Sequence, residues 1–279
     1  MENLDDIRKR INAIDSQMVE LFEKRMEESR KVLEYKMANS LAISDPAREA
    51  EVIRLNSTKV ADDTIREYYI NFEQNLMDLS KAYQRRLMSG MKVAYNGDSD
   101  TLSLEAAGKL FPQASLQAYD SFESAYDACV KGECDAVVLP LENSSEGDLG
   151  SVSDLMFSGS LFLNRVGELE LQGGESTRFG AFSRVLNKDL GKEKMGKRFM
   201  LMFTVKHEAG SLVKTLNIIG AHNFNMCSLR SRPMKDLMWN YYFCIELEGD
   251  VNSADGQSLL KELAAVCDRF KLAGAYRID

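Results

Sequence analysis

Between Leu4 and Tyr35 the chain contains neither proline nor glycine. Its apolar residues recur there at alternating spacings of three and four: Leu4, Ile7, Ile11, Ile14, Met18, Leu21 and Phe22. That period places an apolar stripe along one face of an α-helix. At 1.5 Å per residue such a helix is about 45 Å long, longer than a small domain is wide, so the sequence predicts a partner to cover its face. Two more helices follow. Ser44-Asp45-Pro46 joins a capping side chain to proline at the first helical position, and the helix it opens runs to about Leu55. After Asp62-Asp63 a third passes through Ile65, Tyr69, Phe72, Leu76, Leu79, Tyr83 and Leu87, and Gly90 stops it.

Some charges in this segment sit where a plain bundle would be apolar. Arg25 continues the face of Met18, Leu21 and Phe22. Lys36 follows eleven residues later, about 20° around a helix and about 16 Å along it, so two long cationic side chains can converge on one anion. Asp45, Arg48 and Glu49 share a face at spacings of three and four, as do Ser80 and Gln84. Arg8 precedes Arg25 by seventeen residues, about 25 Å on a straight helix. One copy of the helix cannot bring both arginines to one small metabolite; if both bind it, one comes from a second chain. Singly, each charge reads better as a solvated surface pair; the set together is harder to dismiss.

The rest of the chain changes pattern. Lys92–Tyr95 reads as a strand, 104–110 and 121–130 as helices, and Ala136–Leu139 as a buried strand, an alternation that implies a parallel or mixed sheet. Residues 186–198 form a charged, glycine-containing linker. The remainder reads strand (199–205), helix (211–220), two strands (225–230 and 240–248), helix (257–270) and strand (272–276), a ferredoxin-like split βαβ order.

Composition narrows the function classes. Acidic residues outnumber basic ones, 43 to 35, and no basic stripe offers a nucleic-acid footprint. Residues 1–6 lack the start of a signal peptide, and no apolar stretch reaches membrane-spanning length, so a cytoplasmic protein is expected, with neither nucleic acid nor membrane as partner. Five cysteines in no zinc spacing imply free thiols. Two histidines leave little material for a His-based metal site or a catalytic triad.

Residues 1–88 resemble the all-helical chorismate mutase domain of the bifunctional chorismate mutase/prephenate dehydratase (P-protein) family. The family's binding set falls on Arg8, Arg25, Lys36, Asp45, Arg48, Glu49, Ser80 and Gln84, and the family's intertwined dimer agrees with the length argument for Arg8. The resemblance implies an intramolecular rearrangement of chorismate to prephenate in aromatic amino acid (phenylalanine and tyrosine) biosynthesis. No metal, cofactor, covalent intermediate or general base is needed; the enzyme folds the substrate into its reactive shape and stabilises charge growing on the ether oxygen. Arg25, and Arg8 from the second chain, would hold the carboxylates. Lys36 and Gln84 would donate to the ether oxygen, Lys36 also to a carboxylate; Glu49 and the Asp45 region would accept from the hydroxyl, and Arg48 and Ser80 would complete the carboxylate and ring contacts.

Residues 92–184 resemble prephenate dehydratase through Val93-Ala94-Tyr95 with Gly97 and Thr101, then Leu139-Pro140-Leu141-Glu142-Asn143-Ser144-Ser145-Glu146-Gly147, and Thr177-Arg178-Phe179. The resemblance makes Glu142, Asn143, Ser144, Thr177, Arg178 and Phe179 the remnant of a site. The glycine turn carries Asp98 and Asp100 where an anionic substrate should dock. Glu168-Leu169-Glu170-Leu171 runs almost directly into Thr177, where the family has a whole second lobe. A single lobe cannot close a cleft, which leaves Thr177 facing solvent or a neighbouring domain, and little or no dehydratase activity is expected. Residues 199–279 resemble the phenylalanine-binding ACT domain through Ala209-Gly210-Ser211-Leu212-Val213 and Leu229-Arg230-Ser231-Arg232-Pro233. That resemblance implies an effector site at Gly210, Ser211, Leu212, Ser231 and Arg232. Ser211 stands in place of the family's alanine and Arg230 in place of its glutamate.

The expected fold is therefore multidomain: an all-α mutase domain forming an intertwined dimer (1–90), an α/β single-lobe dehydratase-like domain (91–186) and an α+β ferredoxin-like ACT domain (198–279), the whole a homodimer or, if the ACT domain pairs as well, a higher homo-oligomer. Two other functions stay open, a bifunctional enzyme making phenylpyruvate and a non-catalytic amino-acid-sensing dimer.

Overall fold

The computed structural model describes residues 2–97, 101–145, 147–170, 174–186, 196–234 and 240–277. Asp98, Asp100, Glu146, Leu171 and most of the expected linker (187–195) lie outside them. The chain falls into two compact units, Met1–Gly90 and Met91–Asp279.

The first unit consists of α1 (Leu4–Ala38), α2 (Pro46–Ser57) and α3 (Asp63–Ser89). Each start is capped by an acceptor side chain: Asn3 takes the N–H of Asp5, Asp45 that of Arg48, and Asp62 that of Thr64. Gly90 ends α3 at φ 74°, a conformation glycine reaches without strain. Leu33 of α1 and Met77 of α3 are buried. The apolar stripe nearer the start of α1 is not: Leu4, Ile11, Ile14, Met18, Leu21 and Phe22 are between 43% and 64% exposed. The single chain leaves uncovered the face for which the sequence demands a partner.

The second unit is built around one sheet. Its elements are β1 (Lys92–Asn96), α4 (Leu102–Leu110), β2 (Ser115–Tyr119), α5 (Phe122–Val130), β3 (Ala136–Asn143), β4 (Gly147–Asp148), α6 (Gly150–Ser158), β5 (Phe162–Glu170), β6 (Ser176–Ser183), β7 (Lys197–Thr204), α7 (Ser211–Ala221), β8 (Asn225–Pro233), β9 (Tyr241–Glu248), α8 (Ala254–Val266) and β10 (Arg269–Arg277). The strand order is β2-β1-β3-β6-β5-β10-β7-β9-β8. β1 lies parallel to β2 and β3, while β6 is antiparallel to β3 and β5. The ferredoxin-like order β10-β7-β9-β8 joins this half through β5 and β10, paired at Gly274 and Leu163. A Cβ at Gly274 would lie 2.2 Å from the Leu163 carbonyl oxygen, so only glycine allows the two halves to share a sheet there.

Several boundaries differ from expectation. β3 continues past Pro140 to Asn143, because the register shifts between Pro140 and Glu142 and a bulge tolerates the missing N–H. β2 was not expected, since Ser115-Leu116-Gln117-Ala118-Tyr119 offers no clean apolar alternation. α8 ends at Val266, not Phe270. Asp268 and Arg269 instead donate their N–H groups to the Thr204 carbonyl and hydroxyl, which starts β10. β7 starts inside the expected linker, at Lys197, whose ammonium is buried against Asp250 at 2.7 Å.

Candidate functional site

In the helical unit a cavity of about 300 Å³ is lined from all three helices. Arg25, Glu28, Ser29 and Lys36 come from α1, Asp45, Arg48 and Glu49 from the start of α2, and Met77, Ser80, Lys81 and Gln84 from α3. All but one of the polar residues picked out in the mutase segment meet here. Arg8 does not; it stands exposed near the start of α1, 3.6 Å from Asp5.

Each side chain has a definite partner. Arg25 donates to the Ser80 hydroxyl and to the Leu76 carbonyl, and Ser80 donates to the same carbonyl at 2.8 Å. Ser80 thus orients the guanidinium. Lys36 donates to the Ile43 carbonyl, tying the end of α1 to the approach to α2. Arg48 reaches Glu51 at 2.6 Å. Glu49 accepts from Ser44 Oγ at 3.2 Å, from the Asp45 N–H at 3.3 Å and from Lys81 Nζ at 2.8 Å. Burial opposes ionisation of Glu49, and these donors, Lys81 foremost, outweigh it and lower its pKa.

The expected donation from Gln84 into the cavity is not the arrangement found. Its amide nitrogen donates to the Ser29 carbonyl at 3.0 Å and approaches the Ser29 hydroxyl at 2.9 Å. The buried Gln84 Oε1 has no hydrogen-bond partner among the described residues. An unsatisfied buried carbonyl is costly. If the amide turns over to donate to a ligand, it gives up its bond to the Ser29 carbonyl, and the Ser29 hydroxyl becomes the donor to Oε1. Sequence reasoning missed Ser29 and Lys81. The first looks like any small helix residue and the second like a solvated charge.

The dehydratase-like residues are arranged differently. Glu142 and Asn143 of β3 stand opposite Arg178 and Thr177 of β6. Thr177, expected to face solvent or a neighbouring domain, is only 5% exposed, and its Oγ1 accepts from Asn143 Nδ2 at 3.0 Å. Ser144 accepts from the Ser176 N–H, and Phe179 is buried in the core. Arg178 is held between Glu142 and Glu246, the latter at 3.0 Å. Glu246 also binds Arg198 at 3.1 Å and Tyr276 at 2.6 Å, and Arg230 pairs with Glu142. The Arg230 that departs from the family pattern meets the carboxylate of the old motif.

In the C-terminal half a cavity of about 370 Å³ is lined by His207, Glu208, Ala209, Ser211, Leu212, Asn240, Tyr241 and Phe243, among others. Gly210 precedes α7 at φ 82°. Ser231 and Arg232 are not among the lining residues. Arg232 reaches away to Asp154 of α6 at 3.4 Å, and Asp154 accepts from Tyr242 at 2.7 Å.

Residues 7–85 match a family model described as chorismate mutase type II, and residues 93–172 one described as prephenate dehydratase. A bifunctional chorismate mutase/prephenate dehydratase of Aquifex aeolicus (strain VF5) is 22% identical over 365 aligned positions, taking in 99% of this chain and 98% of the relative. That alignment is longer than the 279 residues of this chain, so the relative carries stretches that the chain lacks. Among solved structures, the prephenate dehydratase of Streptococcus mutans aligns with a TM-score of 0.60 at 24% identity, over 67% of this chain and 98% of that one. The prephenate dehydratase of Arthrobacter aurescens in complex with L-Phe aligns with a TM-score of 0.60 at 16% identity, over 67% of this chain and 90% of that one. At these identities the two structures speak for the fold alone.

Proposed function

We infer that, because the chain belongs to the family of bifunctional chorismate mutase/prephenate dehydratases, its helical unit is a chorismate mutase acting in aromatic amino acid biosynthesis. The observation that carries this reading is the gathering of Arg25, Lys36, Arg48, Asp45, Glu49 and Gln84 around one cavity in the helical unit. Chorismate is a dianion with one hydroxyl and one breaking C–O bond, and this set offers cations, acceptors and an amide. Arg25, steadied by Ser80, holds a carboxylate, and Arg8 of a second copy holds the other, so the active protein is a dimer built on the exposed face of α1. Arg48 moves from Glu51 to the ligand. Lys36 and a turned Gln84 donate to the ether oxygen as negative charge develops there, when such donors count most. Glu49 and Asp45 accept from the hydroxyl. The chain needs no general base for this, since no proton moves in the bond exchange.

The division proposed for the chain is mutase (1–90), dehydratase-like lobe (91–186) and ACT-type lobe (198–279), the last two joined in one unit. The dehydratase motif is read as a structural remnant. Its arginine is saturated by two carboxylates and its threonine is buried, so neither is offered to a substrate. The cavity beside Gly210, Ser211 and Leu212 is proposed to take phenylalanine as effector, with Arg232 acting through its contact with Asp154 instead of the ligand. Free cysteines fit a cytoplasmic setting, and no helix among the described residues is long and apolar enough to cross a membrane. One assay tests the whole reading: supply chorismate and follow prephenate and phenylpyruvate. Prephenate alone is expected. Phenylpyruvate would make the enzyme bifunctional, and neither product would leave a sensing dimer.

A further inference from the structure

We infer that Lys81 is a positioning residue of this site, neutralising Glu49 so that a carboxylate can serve as hydrogen-bond acceptor beside a doubly negative substrate; the inference rests on the mutase reading of the helical unit. Lys81 follows Ser80 on α3 and lines the same cavity. Its ammonium lies 2.8 Å from Glu49 Oε2 and 2.9 Å from Asp78. The Lys81 and Glu49 side chains are 20% and 27% exposed, whereas Asp78 is 69% exposed, so Glu49 is its sheltered partner.

The need for such a cation follows from the charges. A carboxylate placed to receive a hydroxyl also repels the two carboxylates of the same ligand, and a partly buried site screens that repulsion poorly. None of the other cavity cations removes it. Arg25 is turned to Ser80 and Leu76, Lys36 to the Ile43 carbonyl, and Arg48 to Glu51. Lys81 alone among these four touches Glu49, and it does so on Oε2, opposite the oxygen held by Ser44 and Asp45. The carboxylate is therefore fixed at both oxygens, and each keeps lone pairs for another donor. A fixed, neutralised acceptor favours binding of the dianion in ground state and transition state alike, so its loss should appear in KM and not in kcat.

Steady-state kinetics of the full-length protein with chorismate test this. Lys81→Met is expected to raise KM about tenfold with kcat held within about threefold, and Lys81→Arg, which keeps the charge, to return KM to within about threefold of the parent. A thermal melt by circular dichroism accompanies each variant. A merely structural lysine would lower the melting temperature and the active fraction, hence kcat, while leaving KM alone; that result overturns the inference. So does a fall in kcat at constant KM, which would put Lys81 on the reacting atoms, and so does an arginine variant as poor as the methionine one. Unchanged Lys81→Met kinetics in a protein that makes prephenate overturns this inference only. A parent protein that leaves chorismate intact overturns the mutase reading and this inference with it.

Discussion

Gln84 holds one amide between two possible tasks. At rest its N–H group serves Ser29, and its carbonyl has no partner among the described residues; turned, it takes the role proposed for it at the ether oxygen. A neutral amide donates at any pH, so the wild-type rate should be roughly flat across neutral pH. Gln84→Glu should work mainly in acid, because only the protonated carboxyl can donate, and its kcat/KM profile should fall as pH rises past about 6. Equal activity of this variant at pH 8 would refute the ether-oxygen role. Arg25→Ala should lower kcat/KM at least about 100-fold by removing a charge-assisted contact, yet cost little stability, since its hydrogen bonds among the described residues go to a neutral hydroxyl and a neutral carbonyl. Such residues were legible because arginine and lysine on an apolar helix face demand a reason. Ser29 and Lys81 were not, for their partners stand 55 and 32 positions away in sequence and nothing local marks them.

Among elements, α1 carries the heaviest consequence. Its apolar stripe could be read from spacing, and the exposure of Ile14 at 56% shows that α2 and α3 do not cover it. Ile14→Asp places a charge in the proposed helix-to-helix seam, where burying it unpaired is prohibitive. Sedimentation should show a monomer, and kcat/KM should fall as far as in Arg8→Ala, because both changes remove the same arginine from the site. A dimeric Ile14→Asp protein with full activity would place the dimer elsewhere. The helices were legible because period and caps agree: Asp45, Asp62 and Gly90 sit at the observed ends. The strands were less so. β2 lacks alternation, β3 runs through a proline bulge, and β10 starts where a helical pattern still continues. In each case pairing across the sheet outweighed local preference, and that pairing is not written locally.

At the scale of the molecule, the expected middle and C-terminal domains share a sheet, and ion pairs fasten them. Glu246, on β9, sits between Arg178 of β6 and Arg198 of β7. Burial alone would raise its carboxyl; hydrogen bonds from Arg178 and Tyr276, with further help from Arg198, outweigh that and bring it down to about 2 from the usual 4.5. A depressed carboxyl contributes stability that is fully present above its unfolded pKa and is lost as pH falls through the folded one. The melting temperature of this unit should therefore decline between about pH 4.5 and pH 2. Glu246→Gln should remove that part of the slope and destabilise the unit at pH 7, by less than the about 3–5 kcal/mol of a wholly unpaired buried charge, because Arg178 keeps Glu142 and Arg198 is partly exposed. The pair Arg230–Glu142 makes the complementary case. Sequence alone marks Arg230 as a disturbance within its own motif, because its partner lies 88 positions earlier. A double-mutant cycle of Arg230→Ala and Glu142→Ala, read from urea melts, should give a coupling of about 1–3 kcal/mol. Additive effects would mean that the contact fastens nothing. Neither variant should make phenylpyruvate on the proposed remnant reading: Arg230→Ala leaves Arg178 between its two carboxylates, and Glu142→Ala frees it from only one.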